Sequence, residues 1–136
     1  MPADFTKISV AARSAELPRL LGLLADCAGR LGVAPDDVLR LQLIAEELFT
    51  NTVAHGHGGD SEAPVSLALG RDANGLCLQY SDAAPAFDPF DDSFEIGRKL
   101  PSTAAIGGWG IELVRGMARG CRYRREDGRN VIDIEL

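Results

Sequence analysis

The sequence predicts a two-layer α/β sandwich, a mostly antiparallel sheet covered on one face by helices. Three observations lead there. Asn74-Gly75 and Asp127-Gly128 each sit between short apolar runs, a strong local signal for a tight hairpin. Two stretches of helical, leucine-rich periodicity follow one another before the first hairpin. The resulting order of strand, helix, helix, hairpin, loop, helix, hairpin alternates too irregularly for a doubly wound sheet. With 136 residues and 46% apolar content, the chain suits a single domain, 1–136, around one core.

The elements follow in order. Phe5 to Val10 alternates apolar and polar residues and reads as a strand. Ser14 is placed to cap the next helix with Glu16 in its first turn, and Leu17, Leu20, Leu21, Leu24, Ala28 and Leu31 recur at helical spacing. Pro18 is tolerable because it falls near the start. Pro35, with Asp36 and Asp37 behind it, opens a second helix expected to run to about His55 and to stop at the glycines beyond. Val65 to Gly70 and Leu76 to Ser81 are the strands of the first hairpin. Ala83 to Ile106 has no sustained period and reads as a long loop, whose length points to a lid. Ile111, Leu113, Val114 and Met117 mark a helix over 110–118, and Cys121 to Arg125 with Val131 to Leu136 form the last hairpin.

Composition narrows function. A net charge of −6 and only two lysines, Lys7 and Lys99, exclude a general nucleic-acid binder and leave no lysine for a P-loop. Cys27, Cys77 and Cys121 have no zinc or disulfide spacing and are expected as reduced core residues. No stretch approaches the roughly 18 apolar residues of a membrane span, and the N-terminus has no signal-like apolar region, so a cytoplasmic protein without membrane contact is expected.

Glu47, Asn51 and His55 stand at i, i+4 and i+8 of the second helix, where each step of four turns only about 40° around the axis. Three polar groups thus share one stripe, and a buried stripe needs partners such as a metal ion and a nucleotide phosphate. Asn51 offers an uncharged oxygen suited to Mg²⁺, and Glu47 a carboxylate able to accept or orient a proton. His55 either hydrogen-bonds a nucleotide or caps the helix end. His55-Gly56-His57 is too poor in ligands for a metal site of its own. Asp82, at a strand end, either accepts from an exocyclic amine and so selects adenine, or merely forms a turn. Gly107-Gly108-Trp109-Gly110-Ile111 runs into a helix and is either a phosphate seat or a flexible joint. It lacks the third glycine of a dinucleotide fingerprint. Among the C-terminal arginines, most fit a half-solvated strand, and Arg115 stands out because it lies in the helix that opens at the glycines.

The ordered set Glu47-x-x-x-Asn51-x-x-x-His55, then Asp82 with Phe87-Asp88-Pro89, then Gly107-Gly108-x-Gly110-Ile111-x-Leu113-Val114-Arg115, resembles the N, G1 and G2 boxes of the GHKL ATPases with the Bergerat fold. Within them it is most similar to the bacterial anti-sigma-factor serine/threonine kinases. The resemblance implies ATP and Mg²⁺ bound under a lid and phosphate transfer to a STAS-domain anti-anti-sigma protein. It also implies a sigma factor as competing partner and pairing as a homodimer. It makes Glu47 the general base, Asn51 the Mg²⁺ ligand, Asp82 the adenine selector and Gly108 and Gly110 the phosphate-seat glycines, with His55, Phe87, Gly107 and Ile111 in the nucleotide site. Two residues depart from the pattern. Ala84 stands where the G1 box has glycine, and Trp109 where the G2 box usually has a smaller residue. They keep open a nucleotide-binding adaptor or anti-sigma module without catalysis. A metabolic enzyme on an unrelated α/β fold is the third alternative.

Overall fold

A computed structural model of the chain describes residues 5–90 and 110–136. Among the described residues, β1 (Thr6–Ala11) leads through a 3-10 turn to α1 (Leu17–Arg30), and α2 (Pro35–Asn51) follows. Next come β2 (Pro64–Asp72) and β3 (Gly75–Asp82), α3 over residues 110–117, then β4 (Gly120–Glu126) and β5 (Arg129–Glu135). The strands form one sheet in the order β1-β2-β3-β5-β4 with every neighbouring pair antiparallel.

Both hairpins turn where the dipeptides predict. Asp72 opposes Gly75 across the first, and Gly75 takes φ 125°, a backbone region that costs a residue with a Cβ. Asp127 and Gly128 both have positive φ, 52° and 75°, the requirement of a primed two-residue turn whose twist matches its strands. The strands extend a residue or two past the expected bounds because pairing continues to the turn itself.

One sheet face carries the core. Directly opposed residues Ile8, Leu67, Tyr80, Ile132 and Tyr123 cross all five strands in one row, and Leu69, Leu78, Ile134 and Cys121 form a neighbouring row. Leu20 and Leu24 of α1, Leu41, Ile44 and Leu48 of α2 and Val114 of α3 join this cluster, so the helices cover that face as expected of two layers.

Two local expectations change. Ser14 does not cap α1. Ser14–Glu16 form the 3-10 turn without any side-chain cap, and the Ser14 amide donates to Asp60 Oδ1 at 2.9 Å, tying the turn to the segment after α2. Of the three free cysteines only Cys27 is buried; Cys77 and Cys121 are half-buried. Residues 83–90 of the expected lid have neither helix nor strand, and 91–106 lie outside the described residues.

Leu24 is fully buried between the layers. Leu24→Ala is expected to cost about 2–5 kcal/mol, the range for deleting a core leucine side chain, read from the denaturation midpoint at unchanged slope.

Candidate functional site

The site forms at one end of the helix-covered face. There Asp82 of β3 lies opposite Asn130 of β5, and Asn130 lies opposite Arg125 of β4. Such opposed residues project to the same side about 5 Å apart, so the three make a polar row that continues the apolar rows of the core. Asp82 is 6% exposed and Asn130 3%. A carboxylate at that depth must be hydrogen-bonded. Asp82 Oδ1 accepts from Asn130 Nδ2 at 2.8 Å and from the Ala84 amide at 3.0 Å, and Oδ2 accepts from Thr52 Oγ1 at 2.8 Å.

Thr52 reaches Asp82 because α2 changes character at its end. After Asn51 the chain makes one π turn, Thr52–Gly56, closed by the His57 amide donating to the Thr52 carbonyl at 2.9 Å. The Thr52 hydroxyl also stands 3.0 Å from the Leu48 carbonyl and 2.5 Å from Tyr80 Oη. With the Thr52 proton on the charged oxygen of Asp82, Tyr80 donates to Thr52 and toward the Leu48 carbonyl at 3.2 Å. Burial pushes the Tyr80 phenol well above its ordinary range, so it remains a donor.

The wider turn rotates the side chains beyond Asn51. Asn51, Thr52 and Gly56 line a hollow together with Leu48, Tyr80, Asp82, Ala84, Phe87, Pro89, Asn130 and Ile132. His55 is exposed, and Gly56 takes the wall position that regular helical spacing gives to His55. The hollow measures about 20 Å³, room for about one water. Its two sides touch where a methyl on Gly56 would stand only 2.9 Å from the Ala84 methyl. The alanine that departs from the G1 pattern therefore occupies space that Gly56 leaves free.

The other predicted residues fall as follows. Glu47 is half-buried one helical turn before Asn51, and its carboxylate lies against Gly110, where an added Cβ would be 1.9 Å from Glu47 Oε2. Burial, and secondarily the neighbouring Glu46, raises the Glu47 carboxyl above the ordinary glutamate value. Asn51 is buried and its Nδ2 has no hydrogen-bond acceptor among the described residues. Ile111 is fully buried in the first turn described for α3. Gly107, Gly108 and Trp109 lie outside the described residues. Arg115 donates to the Phe90 carbonyl and its guanidinium stands 5.6 Å from the Phe90 ring centre, which ties α3 to the segment that follows the hollow. Thr52, Gly56, Asn130 and Arg125 were not singled out in the sequence. The nearest signal is the position of Thr52 and Gly56 beside Asn51 and His55 in a helix end rich in polar residues.

Residues 10–136 match the histidine kinase-like ATPase domain family. The chain belongs to that family. Among relatives of this ATPase domain, the serine-protein kinase RsbW of Bacillus subtilis is 25% identical over 133 residues, 95% of this chain and 83% of its own length. The serine/threonine-protein kinase BtrW of Bordetella bronchiseptica is 32% identical over 95 residues, 69% of this chain and 66% of its own. Among solved structures, the RsbU and RsbW domains of a Mycobacterium tuberculosis protein superpose with a TM-score of 0.66 at 15% identity. That match covers 98% of the present ATPase domain, which spans 32% of the longer mycobacterial chain. The SiaB–SiaC complex from Pseudomonas aeruginosa gives a TM-score of 0.56 at 12% identity, covering 95% of this chain and 87% of that one. Both structures share the fold of this ATPase domain, and the resemblance drawn from the ordered motif residues holds at the level of the family.

The Gly56–Ala84 contact makes the two positions interdependent. Gly56→Ala is expected to cost about 1–3 kcal/mol by overpacking, and adding Ala84→Gly should recover most of it. Urea unfolding of the two single variants and the double would reveal additive losses if the seam were not shared.

Proposed function

We propose that this domain is an ATP-dependent serine/threonine-protein kinase that phosphorylates a STAS-domain anti-anti-sigma protein and acts as an anti-sigma factor in a partner-switching system. The carrying observation is the contact of the Glu47 carboxylate with Gly110, one helical turn from the buried, acceptor-less amide of Asn51. It brings a carboxylate and an unmet donor, both on α2, to the glycines before α3, which are far from them in sequence. The named kinases among the relatives support the same reading.

In this reading Asp82 accepts from the exocyclic amine of adenine and Phe87 borders the base. The phosphates run toward Gly107, Gly108, Gly110 and Ile111, where backbone N–H groups near a helix start receive anions. The Asn51 site fits a phosphate with its cation. A phosphate oxygen satisfies Nδ2, whose isolation otherwise costs about 1–3 kcal/mol, and Oδ1 is then the oxygen offered to Mg²⁺. Among the described residues no group of three His, Cys, Asp or Glu side chains is placed to hold a metal, so the ion would come with the nucleotide. Mg²⁺ would neutralise charge developing on the transferred phosphoryl group. Glu47 accepts the proton of the attacking serine or threonine hydroxyl, a task that its raised pKa suits. His55, exposed at the π turn, contributes at the open rim of the nucleotide site. A sigma factor as competing partner, homodimer formation, a single domain and a cytoplasmic setting complete the proposal. Among the described residues no helix is long and apolar enough to cross a membrane.

Glu47→Gln should lower transfer of labelled phosphate to the STAS partner by about 10²–10⁴ while calorimetry shows Mg-ADP binding retained. Transfer at the original rate would remove Glu47 from the chemistry, and binding without transfer by the unaltered chain would favour a non-catalytic module. The pH profile carries a sign. The base works deprotonated, so activity rises with pH through the Glu47 value, and the acid limb of kcat/KM should lie above the ordinary 4.5. Glu46→Gln removes the second cause of the shift and should move that limb toward lower pH. Gly110→Ala forces the flexible Glu47 carboxylate aside and should depress transfer more than it depresses stability.

A further inference from the structure

We propose that Asn130 is a positioning residue for the base end of the site, fixing Asp82 and the segment 82–87 as a wall anchored on β5. The inference rests on the nucleotide-binding function proposed above. Asn130 is 3% exposed and its carboxamide is used at both ends. Nδ2 donates to Asp82 Oδ1 at 2.8 Å and lies 3.0 Å from the Pro85 carbonyl and 3.3 Å from that of Ala84. Oδ1 accepts from the Phe87 amide at 3.1 Å, from Tyr123 Oη at 2.6 Å and from Arg125 at 3.1 Å. Arg125 adds a second arm, donating to the Ala84 carbonyl at 2.8 Å. One side chain thus grips residues 82, 84, 85 and 87 of a segment that has no helix or strand of its own after Asp82.

A carboxamide suits this place because it presents donors at one end and an acceptor at the other. Aspartate would offer no donor to Asp82, and a serine hydroxyl would not span from Asp82 to the Phe87 amide. With Asn130 on one oxygen and Thr52 on the other, the Asp82 carboxylate is held in a fixed plane as an acceptor. A rigid acceptor favours an exocyclic amine over a carbonyl at the same place, which is the difference between adenine and guanine. The opposite edge of the wall meets the π turn through the Gly56–Ala84 contact alone among its described neighbours there. The hollow, about 20 Å³ as it stands, therefore opens to a base along that seam while Asp82 keeps its orientation.

The test is calorimetric titration of the full chain with Mg-ADP and Mg-GDP, together with amide hydrogen exchange at Phe87 and Ala84, for the unaltered protein, Asn130→Ser and Arg125→Met. Asn130→Ser should weaken ADP binding by about 10- to 100-fold, cut the ADP-over-GDP preference by at least about 10-fold and speed exchange at Phe87. Amides of β2 such as Leu67 should keep their protection, which separates loss of the anchor from general unfolding. Arg125→Met, on the exposed side of the hairpin, should move the same readouts by about 2- to 5-fold and decides the matter if Asn130→Ser does not fold. An unchanged ADP:GDP preference, or unchanged Phe87 exchange, in a folded variant overturns the proposal. If the unaltered chain binds neither nucleotide, the kinase reading falls instead, and the exchange at Phe87 still decides whether Asn130 anchors the wall.

Discussion

The burial of one carboxylate organises this site. Asp82 ends a strand whose other inward residues are apolar, and its depth leaves it no choice but to collect donors from the protein. It takes them from three directions, the end of α2 through Thr52, β5 through Asn130 and its own following loop through the Ala84 amide. Helix layer, sheet and loop are thereby joined at a single side chain. Removing a partner there would leave a buried charge uncompensated, a loss larger than that of an ordinary surface ion pair.

The sheet positions that carboxylate and α2 positions the rest. The turn containing Glu47 and Asn51 is regular α-helix, so their side chains lie one above the other. The next turn is not regular, and the change brings Thr52 and Gly56 to the hollow. The catalytic reading and the base-binding reading thus draw on consecutive turns of one helical segment with different geometry, one facing Gly110 and the other facing Asp82.

The parts of the fold governed by local rules were readable from residues alone. Asn74-Gly75 and Asp127-Gly128 specify their turns because few other residues adopt positive φ, and Pro35 with its two following acids marks a helix start because each favours that position independently. Long-range demands were not readable. Ser14 looks like a helix cap, yet its amide is engaged by Asp60 and the helix proper starts later. Asn130 looks like an ordinary polar residue beside a turn; its importance comes from standing opposite Asp82, a relation fixed only by strand register. The stripe of Glu47, Asn51 and His55 assumes one helical period throughout, and the π turn breaks that period after its second member. Ala84 reads as a stiffened loop until Gly56 is seen across from it.

That break in helical period bears on how this segment tolerates insertions and deletions. A π turn accommodates one residue more than the α-helical path between the same two points, so deleting any single residue from 52–56 would let the helix regularise and swing everything after it by about 100°. Gly56 would leave the seam and a bulkier neighbour would meet Ala84. The turn over Gly58–Glu62, largely exposed, has no such bound on its length. Residue counting along this helix is therefore a sound guide up to Asn51 and a misleading one beyond it.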